Sequence, residues 1–273
     1  MHTDAVTPGT RLAGRYRLVE RAEHADGTDL WRAVDEILAR PVAVRTLHLP
    51  GEQAGAAVAA ARRAAAVADH RFARVLDAHE ADGVAYVVGE WVEAVDLATL
   101  LRDDGPLPPV EAARLTAEVA EALAAAHAAG VFHQRLGPGL VRRTDSGQVK
   151  ILGLGVAAVL EPRDLPAEVD PVEVDTRDAA ALLYAGLTAR WPGGPRDGLP
   201  PAPQEHGRLC SPRQVRANVP AGLDQLTLRA LLPSPEDRSV PRTPTGLARL
   251  LQAALSELRA QTVELPAVPP APA

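Results

Sequence analysis

The residues best equipped for chemistry in this chain of 273 residues are cations and glycines set in three short stretches, and the chemistry they suit is the handling of phosphate. The first is Val42-Ala-Val-Arg45, an apolar run ending on a guanidinium. The second, His133-Gln-Arg135-Leu-Gly137-Pro-Gly139-Leu140, places an imidazole near an arginine in a Gly/Pro loop, with Arg142 and Arg143 close behind. In the third, Gln148-Val-Lys150-Ile-Leu runs into Gly153-Leu-Gly155-Val-Ala-Ala157. That imitates the strand and G-x-G-x-x-A turn that lay a pyrophosphate on a helix N-terminus, with Asp175 about far enough on to hold a ribose.

Local context weakens each reading. The strand before Gly153 belongs to a hairpin, Pro162 cuts the following helix short, and no second βαβ strand appears. His133 reads as a buried imidazole bonded to neighbouring backbone rather than as a general base. Arg135, Arg142 and Arg143 read as a solvated cluster rather than an anion site. Trp31, Trp91 and Trp191 suit packing, and Cys210 is a small apolar filler.

The elements around these stretches follow from periodicity. Tyr16–Val19 and Pro41–Leu47 alternate as strands, with Asp26-Gly27 marking a tight turn between them. The Ala-rich run Gln53–Ala68 suits a helix, and two more strands follow at Ala73–His79 and Val84–Trp91. Beyond Val92 helices take over. Val110, Leu115, Val119, Leu123 and Ala126 recur at helical spacing, with Glu111 in the first turn and Gly130 as C-cap. A hairpin turning at Asp145-Ser146-Gly147 precedes helices at Asp175–Thr188, Leu223–Leu232 and from Thr245 to about Arg259. The pattern predicts an α+β fold of two lobes, with residues 10–92 as a small β-rich lobe and 93–258 as a helical lobe. Residues 259–273 form a Pro-rich flexible tail.

Bulk properties exclude several partners. One cysteine allows no internal disulfide and no cysteine-based zinc site. A net charge of −6 and a pI near 5.8 argue against nucleic acid. Lys150 is the only lysine, a bias of high-GC coding. No apolar run reaches the roughly 18 residues of a membrane span, and Met1–Gly9 lacks a signal-peptide pattern, so a cytoplasmic location is expected, with any membrane recruitment through partners.

Three segments in order resemble a bacterial serine/threonine protein kinase domain. They are Gly14-Arg-Tyr-Arg-Leu-Val-Glu with Leu30-Trp-Arg-Ala and Val42-Ala-Val-Arg45; Ala122-Leu-Ala-Ala-Ala-His127-Ala-Ala-Gly130-Val-Phe-His133; and Asp175 with Leu182-Leu-Tyr-Ala-Gly-Leu-Thr188-Ala-Arg-Trp-Pro192. The resemblance implies a two-lobed kinase-like fold with a truncated activation segment between Gly155 and Asp175. Kinases use a Gly-rich loop, a lysine–glutamate pair, and Asp and Asn side chains that hold magnesium and position the substrate hydroxyl. Here the loop positions are Glu23, Ala25 and Thr28, and the lysine position is Arg45. The helix glutamate aligns with Ala61, the catalytic aspartate with Arg135, the asparagine with Leu140 and the metal-holding aspartate with Gly153. No carboxylate occurs in 53–68, 133–143 or 146–160, so no shift of alignment restores one. Glu23, Asp26 and Asp29 add negative charge near the phosphates, at about 3 kcal/mol per contact of 5 Å at an effective dielectric of 20.

From these replacements the expectation is a pseudokinase. It would be a regulatory protein-binding scaffold and no enzyme, with no catalytic residue, cofactor or metal; the alternatives are a nucleotide-binding sensor and an atypical serine/threonine kinase. Within the family, residues 207–217 and 219–224 with the short activation segment look like the pseudokinase domain of actinobacterial MviN-type proteins, which implies a role in cell wall synthesis. It also implies phosphorylation by a true kinase, with Thr262 as candidate acceptor, and recognition by a forkhead-associated partner. Asp175, His133 and Gly155 are expected to hold the lobe together.

Overall fold

Alternating strands build the first lobe. In the computed structural model, which describes residues 6–25, 27–81, 84–166, 168–232, 237 and 240–263, β1 (Arg11–Leu12), β2 (Tyr16–Ala25), β3 (Thr28–Asp35) and β4 (Arg40–Leu47) run antiparallel in order. A helix, α1 (Gly51–Ala64), then leads to β5 (Val75–Ala81) and β6 (Val84–Glu90), giving the sheet order β1-β2-β3-β4-β6-β5. The sheet has six strands, since β3 and the two residues of β1, which pair with β2, join the four marked by alternation. One face buries Leu18, Trp31, Val42, Val44, Tyr86 and Val88 together. The other takes α1, whose Ala54, Ala57, Val58 and Ala61 pack on Leu47, Ala78 and Ala85. The helix ends four residues short of the expected Ala68. Alanine propensity alone carries no stop signal.

Asp35, at the end of β3, is fully buried. It accepts from Arg15 Nε and Nη2 at 2.9 and 2.7 Å, and from the Ile37 and Leu38 amides at 3.2 and 3.3 Å. The Arg15 fork, helped by those amides and opposed by burial, holds its carboxyl down at about 2. An acid depressed in the folded state stabilises fully above its unfolded value near 4 and loses that contribution as pH falls towards 2. Thermal unfolding followed from pH 5 to pH 2 should therefore show a shallower decline for Asp35→Asn than for the wild type. Equal slopes would remove Asp35 as a source of acid sensitivity.

The helical lobe opens with β7 (Val95–Asp96) and α2 (Leu97–Asp103), a helix the periodicity did not reveal. Asp96 caps it, its carboxylate taking the Thr99 amide at 2.9 Å and the Thr99 hydroxyl at 3.0 Å. Next, α3 (Pro109–Ala128) begins on a proline and buries Leu115, Val119, Leu123 and Ala126 as expected, whereas Val110 is exposed. The hairpin β8 (Val141–Arg143) and β9 (Val149–Ile151) turns at Gly147, whose φ of +80° suits glycine. After it come α4 (Val156–Leu160) and α5 (Pro171–Thr188). The latter starts earlier than Asp175 because Asp170 caps it and Pro171 occupies its first turn.

Two short strands, β10 (Gln204–Glu205) and β11 (Arg208–Leu209), precede α6 (Pro212–Val215), α7 (Ala221–Leu231) and α8 (Pro244–Val263). Small residues let α3 and α5 approach closely, since a Cβ on Gly186 would stand 3.1 Å from the Ala112 Cβ. Because α8 runs to Val263, the backbone of Thr262 lies in its last turn rather than beyond the helix. The Thr262 side chain and residues 264–273 of the expected tail lie outside the described residues. The outcome is the expected α+β plan, a curled sheet above a helical lobe. No helix among the described residues is long and apolar enough to cross a membrane.

Candidate functional site

Between the lobes lies a cleft of about 660 Å³. Its roof is the β2–β4 surface, where Glu23, Ala25, Thr28, Leu30, Ala43 and Arg45 line it. Its floor is Leu140, Leu152, Gly153 and Leu154, and its rear wall runs past Gly89 to Phe72 and Val75. Strand alternation sorts the roof, sending Thr28 and Leu30 into the cleft and Asp29 out of it. Asp29 meets His24 at 2.6 Å, His48 at 3.2 Å and Arg21 at 3.5 Å. Burial pushes its carboxyl up, and the His24 bond with the nearby Arg21 and histidines brings it below its ordinary value.

Arg45 donates to the Thr28 hydroxyl at 3.2 Å and sits 3.7 Å from Glu23. It is therefore tied to its own sheet rather than to α1, where Ala61 is buried against the α4 side chain Val156. The negative field expected over the phosphates is correspondingly weaker. Asp29 is paired outside the cleft, Glu23 is paired with Arg45, and Asp26 lies outside the described residues.

On the floor, Asp175 organises the loop that carries Arg135. Fully buried on α5, it accepts from His127 Nε2 at 2.8 Å, the His133 amide at 2.8 Å and the Gln134 amide at 2.5 Å. Gln134 is thereby held at φ +55°, a strained conformation for a residue with a side chain. His133 donates from Nε2 to the Leu152 carbonyl at 2.9 Å, and burial pushes its imidazole down, so it stays neutral. The backbone-bonded role expected for His133 fits this geometry. The loop is tied to β9 by the same bond.

The arginines do not converge. Arg135 forks onto Glu161 at 3.1 and 2.8 Å, Arg142 donates to the Val92 and Ala94 carbonyls, and Arg143 pairs with Glu111. Gly153, at φ +76°, leaves room for Ala157, whose Cβ would stand 3.0 Å from a side chain there.

Besides Glu23 on the roof, four carboxylates outside the motif windows line the cleft, Asp69, Glu90, Glu161 and Asp197. Glu161 follows the last carboxylate-free residue, and Asp197 arrives from the loop after α5. Asp197 takes the Gly139 amide at 2.8 Å. Pro192-Gly-Gly-Pro195 and Asp197-Gly198 mark this loop in the sequence, but they signal turns, not a destination. Among the described residues, no cluster of three or more acidic, histidine or cysteine side chains could hold a metal. Magnesium at nucleotide sites is held by one or two carboxylates together with the substrate's phosphates; of the carboxylates at this end of the cleft, Glu161 is paired with Arg135 and Asp197 takes the Gly139 amide.

No family model matches the chain. Among curated proteins, it is 32% identical to the probable serine/threonine-protein kinase pknA2 of Bifidobacterium longum over 157 residues, 55% of this chain and 21% of that protein. It is 29% identical to the serine/threonine-protein kinase PrkC of Bacillus subtilis over 156 residues, 56% of this chain and 24% of PrkC. Against the serine/threonine-protein kinase PksC of Streptomyces coelicolor the identity is 28% over 264 residues, 84% of this chain and 48% of PksC. The chain thus spans less than half the length of these relatives. They identify a protein kinase-like domain. Their names overturn the expectation of a non-enzymatic pseudokinase scaffold, which came from counting motif positions and passed over Glu161 and Asp197. The likeness to MviN-type proteins, and with it a role in cell wall synthesis, rests on residues 207–224 and the short activation segment alone.

Proposed function

We propose that this domain is an atypical serine/threonine protein kinase, binding a nucleoside triphosphate in the interlobe cleft and passing its terminal phosphoryl group to a hydroxyl. The observation that carries the reading is the kinase-named relatives, PksC matching over 84% of this chain. The cleft between the same two lobes supplies the place. Leu30, Ala43, Leu140 and Leu152 offer apolar walls for a base, and Arg45 offers a guanidinium for phosphate oxygens. Arg45, Ala61, Arg135, Leu140 and Gly153 stand where the family's phosphate-handling side chains are aligned. In this reading the acidic chemistry comes from outside those positions, and no step is routed through a metal.

The test is transfer of label from γ-labelled ATP to a generic protein substrate, with thermal shift by ATP measured in parallel. Wild type should incorporate label, and Arg45→Ala should weaken nucleotide binding by about tenfold, the scale of one charge-assisted hydrogen bond. A wild-type chain that neither shifts with ATP nor transfers label would sink the reading. Binding without transfer would leave a nucleotide sensor.

A further inference from the structure

Gly137 and Gly139, the latter lining the floor of the cleft, lack side chains, and another loop fills the space they leave. A Cβ on Gly137 would stand 2.5 Å from Arg196 Nε and 2.9 Å from Asp197 Oδ2, and one on Gly139 would stand 3.0 Å from the Asp197 carboxyl carbon. The loop after α5 is therefore seated in the gap those glycines leave. Its seat is built. Arg196 donates to the Arg135 carbonyl at 2.9 Å and stacks on Trp191, and Arg102 donates to the Asp197 carbonyl at 3.0 Å.

Asp197 itself has φ +50°, a left-handed conformation that aspartate adopts more readily than most residues with a side chain. One of its oxygens, Oδ2, is fastened by the Gly139 amide at 2.8 Å, with Arg196 Nε 3.9 Å away. The other, Oδ1, has no donor among the described residues. Glu161, the other acid at this end of the cleft, is already neutralised by Arg135.

Resting on the kinase reading above, the geometry points to Asp197 as the catalytic proton acceptor, supplied to the cleft by a loop other than the one that bears it in kinases. The substrate hydroxyl oxygen bonds to the terminal phosphorus as that phosphorus parts from the bridging oxygen. The nucleoside diphosphate leaves with the electron pair of the broken bond, and the hydroxyl proton passes to Asp197 Oδ1. Arg196 is a positioning residue, holding the loop on the Arg135 backbone.

The deciding variant is Asp197→Asn, whose amide oxygen can still take the Gly139 N–H while the charge is lost. With γ-labelled ATP and a generic protein substrate, kcat should fall on the order of 100-fold, the usual worth of a general base. KM for ATP should stay within about twofold, and the emission of Trp191, read as the difference from a Trp191→Phe chain because Trp31 and Trp91 also emit, should stay unchanged, Arg196 being stacked on that ring. An active wild type whose kcat is untouched by Asp197→Asn overturns the assignment and leaves the kinase reading standing. A fall in kcat accompanied by altered Trp191 emission and raised KM also overturns it, in favour of a structural role for the loop. A wild type that transfers no phosphate overturns both.

Discussion

Asp175→Ala is expected to lower stability by about 4 kcal/mol, since it strands two backbone amides and an imidazole N–H in a dry interior at about 1–3 kcal/mol each, less what relaxation recovers. A whole domain is stable by only about 5–15 kcal/mol. At roughly 2 °C or a little more per kcal/mol for a chain of this size, the melting temperature should drop on the order of 10 °C. Asparagine is no rescue, because its amide group turns an N–H towards donors that need an acceptor. The second consequence is local. Once the Gln134 amide is released from its 2.5 Å bond, no other hydrogen bond of that residue to a described residue offsets the left-handed φ, and the backbone relaxes by carrying Arg135 and Gly137 with it. Thermal melts of Asp175→Ala and Asp175→Asn within about 2 °C of wild type would show that the hub is dispensable.

How far the sequence reached is clearest at Asp175 itself. Its anchoring role was legible, because kinase-like motifs keep an acid at that spacing from His133, and the structure places its carboxylate on the His133 and Gln134 amides. Strands β4, β5 and β6 were legible from two-residue alternation, and the β8–β9 hairpin from Asp145-Ser146-Gly147. The helix α2 was not, since its seven residues are too few for periodicity, although Asp96 three residues before Thr99 is a cap pattern a closer reading would have caught. Asp29 shows a different failure. Its charge was legible but its side of the sheet was not, because the register that sends Thr28 and Leu30 inward needed the pairing of β2 with β3.

The floor of the cleft was the least legible part. Windows free of carboxylates along the chain say nothing of what other segments deliver in space, and Asp197 lies 58 residues from the Gly139 amide it accepts. The two glycines that admit it read locally as loop residues. Only the near-collision of their absent side chains with Arg196 and Asp197 shows that they are vacant for a reason. Motif loss and loss of function are separate claims.

The other large effect is expected at Arg163, in the shortened segment between α4 and α5, which donates from Nη1 to Asp178 Oδ1 at 2.9 Å and brings Nη2 within 2.9 Å of Oδ2 as an ion pair without a second hydrogen bond. Asp178 is nearly fully buried, and burial pushes its carboxyl up while the Arg163 hydrogen bond pulls it back. Arg163→Ala leaves that charge uncompensated, which in buried pairs costs about 3–5 kcal/mol at neutral pH. The pH dependence has a definite sign. A carboxyl whose folded value is raised above its unfolded value takes up a proton on folding, so acidification stabilises it. The deficit of Arg163→Ala should therefore shrink between pH 7 and pH 5, whereas the paired double variant Arg163→Met with Asp178→Leu should lie near wild type at both. A deficit that does not change with pH, or a double variant as unstable as the single, would mean that the pair's charge is not what holds this segment. If it does hold it, the same pair also fixes Glu161, two residues earlier, against Arg135, and so sets which carboxylate at the cleft floor is neutralised and which is left to act.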